Sequence, residues 1–196
     1  MAIIRANNNT LSSVTTLPTA ITTGSLVKLA TASASSSSEV AFDNTVFTST
    51  YKSYVIRIND FVLSTNFDFV FADSPDNGST FSFTSKNGFH YATLGSNASG
   101  GNGATSTNYH RFYAWNHDAT STVKSNFLEL HLPYFTQVQT NKFYYAKYMH
   151  QNNNGLPYVI DFGFESSLTT AQNYIKFYGL SGNITKGEFT VYGIVE

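Results

Sequence analysis

From Glu39 onward the chain repeats one pattern: short segments of alternating apolar and polar side chains, separated by turn-forming residues. A period of two marks a strand with one buried face. YVIRIN places Tyr54, Ile56 and Ile58 on one face. FDFVF groups Phe67, Phe69 and Phe71 against Asp68 and Val70, and TFSFT repeats the alternation with Phe81 and Phe83. NFLELHL sets Leu128, Leu130 and Leu132 against Phe127, Glu129 and His131. YVIDFGFE sets Ile160, Phe162 and Phe164 against Val159, Asp161, Gly163 and Glu165, and NYIKFYGL aligns Ile175 with Phe177. The final segment, GEFTVYGIVE, places Phe189, Val191, Gly193 and Val195 opposite Thr190, Tyr192 and Ile194. It reads as a core strand paired inside a sheet.

The connections carry turn chemistry: DSPDNGS (73–79), SNASGGNGATSTN (96–108), QNNNG (151–155) and SGN (181–183). SSLTTAQNY (166–174) has room for one helical turn at most. Ten or so short strands with polar loops predict an all-β fold, an antiparallel β-sandwich of jelly-roll type.

Residues 1–37 differ from the rest. They contain no aromatic residue, are dominated by Asn, Thr, Ser and Ala, and run into TASASSSSE. Only SLVKLAT (25–31) has strand character. Such a segment is either a mobile terminus or an arm that becomes ordered on a partner. The expected division is an extended N-terminal arm over 1–37, a candidate anchor, and a β-sandwich domain over 38–196.

Composition narrows the function. At 196 residues the chain suits one sizeable domain. Charged residues are 12%, about half the usual share. Ser, Thr and Asn make up the difference, which predicts a hydroxyl- and amide-rich surface. The net charge is −1 and no run of Lys or Arg occurs, so neither nucleic acid nor an anionic membrane is an expected partner. The absence of Cys excludes disulfides and thiolate metal sites and suits folding in a reducing cytoplasm. MAIIRANNNTLSS lacks the apolar core of a secretory signal, and no apolar run approaches the ~20 residues that span a bilayer.

Catalytic signatures are sparse. Asp161 and Glu165 share a strand face, but four residues at ~3.3 Å each separate them by about 13 Å. Glycosidase carboxylates need roughly 5 to 9.5 Å. His90, His110, His117, His131 and His150 form no ligand pair at metal-binding spacing, and each reads best as a structural histidine. DSPDNG lacks the alternating ligands and distal Glu of a calcium loop. No nucleophile elbow, P-loop or dinucleotide fingerprint occurs. The reading is a non-enzyme with no catalytic, cofactor-binding or metal residues.

One segment carries possible binding chemistry. In NYHRFYAWNHD, Tyr109, Arg111, Tyr113 and Trp115 share one strand face, and His110, Phe112 and Ala114 the other. Aromatics beside an Arg would make a platform for a sugar, although such rows more often serve a core or an oligomer interface. FYYAKYMH (143–150) is a second row open to the same readings.

Four stretches together resemble a known family: ITTGSLVKLATAS, YKSYVIRINDFV, FVFADSPDNGSTF and the closing NYIKFYGLSGNITKGEFTVYGIVE. They look like small virion proteins of marine and related tailed bacteriophages, in which an Asn/Ser/Thr arm leads into a strand, a Gly hairpin follows, and the chain closes on a strand. The resemblance implies a particle-surface structural protein: a capsid decoration, a head fibre, or a tail-fibre or knob component. It further implies a homotrimer located in the virion and joined to capsid or tail proteins through its N-terminal arm. A carbohydrate- or host-receptor-binding role on a tail fibre is the alternative, with a host surface glycan as partner.

Overall fold

The computed structural model describes residues 26–65, 68–93, 99–112, 126–151 and 157–195. Among them there are twelve strands and no helix. The fold is all-β, and the strands form two antiparallel sheets packed as a sandwich.

The larger sheet has eight strands. In spatial order they are β1 (Leu26–Ser37), β12 (Ile184–Ile194), β3 (Tyr54–Leu63), β8 (Phe127–Leu132), β9 (Lys142–Gln151), β10 (Pro157–Ser166), β5 (Thr84–Thr93) and β6 (Ser99–Thr107). The smaller sheet is β2 (Glu39–Phe42), β11 (Tyr174–Gly179), β4 (Phe69–Ser74) and β7 (His110–Phe112). This division of eight plus four does not reproduce the eight strands of a simple jelly roll.

Along β8, β10 and β11 the buried face falls where the period of two predicts it, whereas β4 is buried on both faces and Phe67 lies outside the described residues. Tyr54, Ile56, Ile58, Leu128, Leu130, Leu132, Ile160, Phe162 and Phe164 line the inner face of the large sheet. Phe69, Phe71, Phe112, Ile175 and Phe177 meet them from the small sheet. Aromatic rings dominate this interior. Phe71 stacks on His110 at 4.4 Å and meets Phe164 edge-on at 5.2 Å. Edge-to-face pairs of this kind add about 0.5–1.5 kcal/mol beyond area burial. In β12, Phe189 and Val191 are fully buried, and Gly193 lies beneath the Tyr51 ring, where a Cβ would approach to 2.5 Å.

Three expectations change. The division at residue 37 falls at the end of β1, so residues 26–37 are part of the sandwich. They pair with β12 from Leu26↔Ile194 to Ser37↔Ile184, with Ala30, Ala32 and Ala34 turned to the core and Thr31, Ser33 and Ser35 to solvent. Residues 1–25 lie outside the described residues. The loop expected over 96–108 contains edge strand β6, which pairs with β5 from Ala92↔Ser99 to Thr84↔Thr107. An edge strand has one ladder to satisfy and little core to fill, so Gly, Ser and Thr suffice. TFSFT forms no ladder before Thr84. Phe83 is still buried, while Phe81 lies at the surface with the Lys176 ammonium 4.4 Å above its ring.

Candidate functional site

Two groups of side chains carry chemistry: a polar cluster sealed between the sheets and an exposed row on the outer face of the large sheet.

The sealed cluster sits where inward positions of β4, β5, β7 and β9 converge. His110 Nδ1 lies 2.7 Å from Ser85 Oγ, and its Nε2 lies 3.1 Å from Asp73 Oδ1. Tyr144 donates its hydroxyl to the second Asp73 oxygen at 2.6 Å, and burial together with that carboxylate raises Tyr144 well above the ordinary phenol range. Ser85 Oγ donates to Asn87 Oδ1, and Asn87 Nδ2 donates to Ser106. Beside them, Lys142 donates to the carbonyls of Tyr134, Phe135 and Gln137 at 3.2, 3.1 and 2.6 Å. Burial lowers Lys142 to about 8, opposed by the Asp73 charge.

Serine, histidine and aspartate in hydrogen-bonded series are the parts of a nucleophilic triad. Here all three side chains are fully buried. A nucleophile must reach a carbonyl carbon, and Ser85 Oγ is enclosed with Asn87 and His110 as its neighbours. The arrangement therefore works as a polar rivet: Asp73 and His110 belong to the small sheet, Ser85 and Tyr144 to the large one.

The exposed row is the outward half of β9. Lys142, Tyr144, Ala146, Tyr148 and His150 point inward; Phe143, Tyr145, Lys147 and Met149 point to solvent. Phe143, Tyr145 and Met149 are 61%, 52% and 43% exposed. FYYAKYMH is thus core on one side and surface on the other.

The charged groups around this row run in register across the sheet. Arg57, Glu129, Lys147 and Asp161 are successive cross-strand partners on β3, β8, β9 and β10. Arg57 Nε donates to Glu129 at 2.7 Å and His131 Nε2 lies 2.8 Å from the other Glu129 oxygen; these contacts hold the carboxyl below its usual range against the opposing effect of burial. Lys147 and Asp161 are 3.8 Å apart. Glu129, His131, Tyr145, Lys147 and Asp161 border a depression of about 340 Å³.

The expected site residues fare differently. Tyr109 is half-buried just before β7. Arg111 is half-buried, opposite Val70, with its guanidinium on Asp68. Both lie off the core face, which His110 and Phe112 occupy. Tyr113 and Trp115 lie outside the described residues. Asp161 and Glu165 face different lysines: Glu165 pairs with Lys86 at 3.2 Å, and Asp161 with Lys147. Among the described residues, no three His, Cys, Asp or Glu side chains converge as metal ligands. DSPDNG is a turn, with Asp76 accepting from Ser74 Oγ and from the backbone and hydroxyl of Thr80.

Sequence reasoning did not connect Asp73, Ser85 and His110, which lie on three strands in two sheets. Nor did it separate the two halves of β9, because aromatic residues stand on both faces: Tyr144 and Tyr148 inward, Phe143 and Tyr145 outward. Comparison with protein families, curated proteins and solved structures finds no match for this chain.

Proposed function

We infer that this chain is a non-enzymatic structural protein on the surface of a bacteriophage particle: a capsid decoration, head fibre or short tail appendage. It oligomerises through its sandwich as a homotrimer and docks through its N-terminal segment on other virion proteins. The viral setting rests on the resemblance in the four quoted stretches. The observation that supports docking is the way residues 26–37 join the sandwich, in a ladder running from Leu26↔Ile194 to Ser37↔Ile184. A load on residues 1–25 would pass into β1 and be shared along that whole ladder, as an anchor segment requires. The enclosure of Asp73, His110 and Ser85 removes one arrangement that could have argued for catalysis.

Removing residues 1–25 tests the docking. The truncated chain should stay folded by circular dichroism and fail to join particles in a complementation assay. Normal incorporation would overturn it.

A second reading, a carbohydrate- or host-receptor-binding module, is favoured by the outward row Phe143, Tyr145 and Met149. Both roles fit one appendage. A glycan array with the purified chain tests it, and an array blank for every glycan speaks against it.

A further inference from the structure

The two faces of the Tyr145 ring have different surroundings. On β8 its cross-strand partner is His131, with ring centroids 4.2 Å apart and planes at 11°. At that distance and angle the separation runs mainly along the ring normal. The imidazole therefore covers one face, and the other turns away from β8 toward β10. There the cross-strand partner is Gly163, and beyond it Gly88 on β5. A Cβ added to Gly163 or to Gly88 would have no atom within 4 Å. Tyr145 thus stands as a wall, backed by His131 and open over a strip of bare backbone.

Side chains border this strip on both sides. Two residues along each strand in one direction are Lys147, Asp161 and His90; in the other, Phe143, Glu165 and Lys86. These borders are about 13 Å apart at ~3.3 Å per residue, and the strip from β9 to β5 is about 10 Å long at ~4.8 Å per strand.

We propose that this slot binds the pyranose ring of a neutral glycan, stacked by its C–H face on the open side of Tyr145 and hydrogen-bonded through its hydroxyls to Asp161 and Lys147. This deepens the glycan-binding reading and rests on it. The charge of the surroundings selects the class. Arg57, Lys147 and Lys86 are matched by Glu129, Asp161 and Glu165, each acid within 3.8 Å of its base. Three positive and three negative charges leave no net field to favour a phosphate or a carboxylate. A shallow open slot with one aromatic wall offers too little apolar enclosure for a lipid chain. Lys147 and Asp161, 58% and 63% exposed and only loosely paired, keep donors and acceptors for hydroxyl groups.

The full chain is titrated with glucose, galactose, mannose, N-acetylglucosamine, cellobiose, lactose and chitobiose while backbone amide NMR shifts are followed. At least one sugar should produce saturable shifts centred on Tyr145, Gly163 and Gly88. Tyr145→Ala should weaken that binding by about tenfold, the scale of one lost ring contact. Gly88→Val and Gly163→Val should abolish it while leaving the melting temperature unchanged or higher, because a β-branched residue suits an open strand position better than Gly. Tyr109→Ala, off the slot, should bind as the parent does. Absence of shifts at these amides with every sugar overturns the proposal, as does undiminished binding by Tyr145→Ala or by a folded Gly→Val variant. Saturable shifts at other amides would refute the slot and leave the glycan-binding reading standing, whereas no binding by any sugar would count against both; particle incorporation is scored separately.

Discussion

Replacing Asp73 by Ala would show how much the sealed cluster holds together. Two groups lose their hydrogen-bond partner: the Tyr144 hydroxyl, now 2.6 Å from Oδ2, and His110 Nε2, now 3.1 Å from Oδ1. Each buried polar group left unsatisfied costs about 1–3 kcal/mol. With two such groups, Asp73→Ala should lower stability by about 2–6 kcal/mol, a large part of the ~5–15 kcal/mol of a typical domain.

The Tyr144→Phe change added to Asp73→Ala removes one orphaned donor, so the double variant should recover about 1–2 kcal/mol of that loss. Urea denaturation followed by far-UV circular dichroism supplies each free energy, with an unchanged m-value as the check that the transition stays comparable. A loss below about 1 kcal/mol for Asp73→Ala would refute the rivet, because groups with access to water would be re-solvated at little cost. Strict additivity of the two substitutions would refute it equally, since side chains in direct contact must couple.

Two further perturbations follow from the structure. Asp76 is lowered to about 2 by its bonds from Ser74 and Thr80, so its contribution is complete above the unfolded value of 3.8 and is lost as pH falls toward 2. A carboxyl NMR titration should place its midpoint near 2, Asp76→Asn should flatten stability between pH 4 and 2, and a midpoint near 4 would contradict the turn geometry. Deleting residues 189–196 removes Phe189 and Val191, both fully buried, and part of the strand between β1 and β3. That chain should show no cooperative unfolding transition, and a folded, monodisperse truncation would refute the core role of β12.

Segments that bury large side chains on one face were legible, because alternation and burial coincide along them. NFLELHL is the clearest: its three leucines are fully buried and the residues between them are half-buried. The two edge strands of the large sheet were not recognised at full length. TASASSSS reads as a polar arm, yet its Ala and Ser positions alternate inward and outward, a strand signal in residues too small to weigh as hydrophobic. SGGNGATST carries almost no apolar side chain, and its strand state is imposed by the β5 ladder. The segment 84–93 carries the opposite difficulty: its inward positions begin with Ser85 and Asn87, polar residues buried because His110 and Ser106 satisfy them. Local pattern cannot report a partner on another strand.

The aromatic rows at 109–115 and 143–150 make the same point about function. Within each row the residues alone leave core, interface and binding surface open. Neighbours across the strands decide. Among the described residues β7 is the edge of the small sheet, and its outward Arg111 folds onto Asp68, which turns its charge inward to the protein. β9 lies inside the large sheet, where outward side chains have neighbours on both sides. Tyr145 has an imidazole on one side and a hydrogen atom on the other, because positions 163 and 88 are both Gly. Two glycines side by side on the exposed face of a central region weaken the strands that hold them, since each forgoes the packing and the chain stiffness of a larger residue. Nothing beneath them requires the space, as a Cβ at either position touches no other atom. The open ring face exists only because those side chains are absent, which is why the glycines, more than the aromatic ring itself, identify where a ligand would lie.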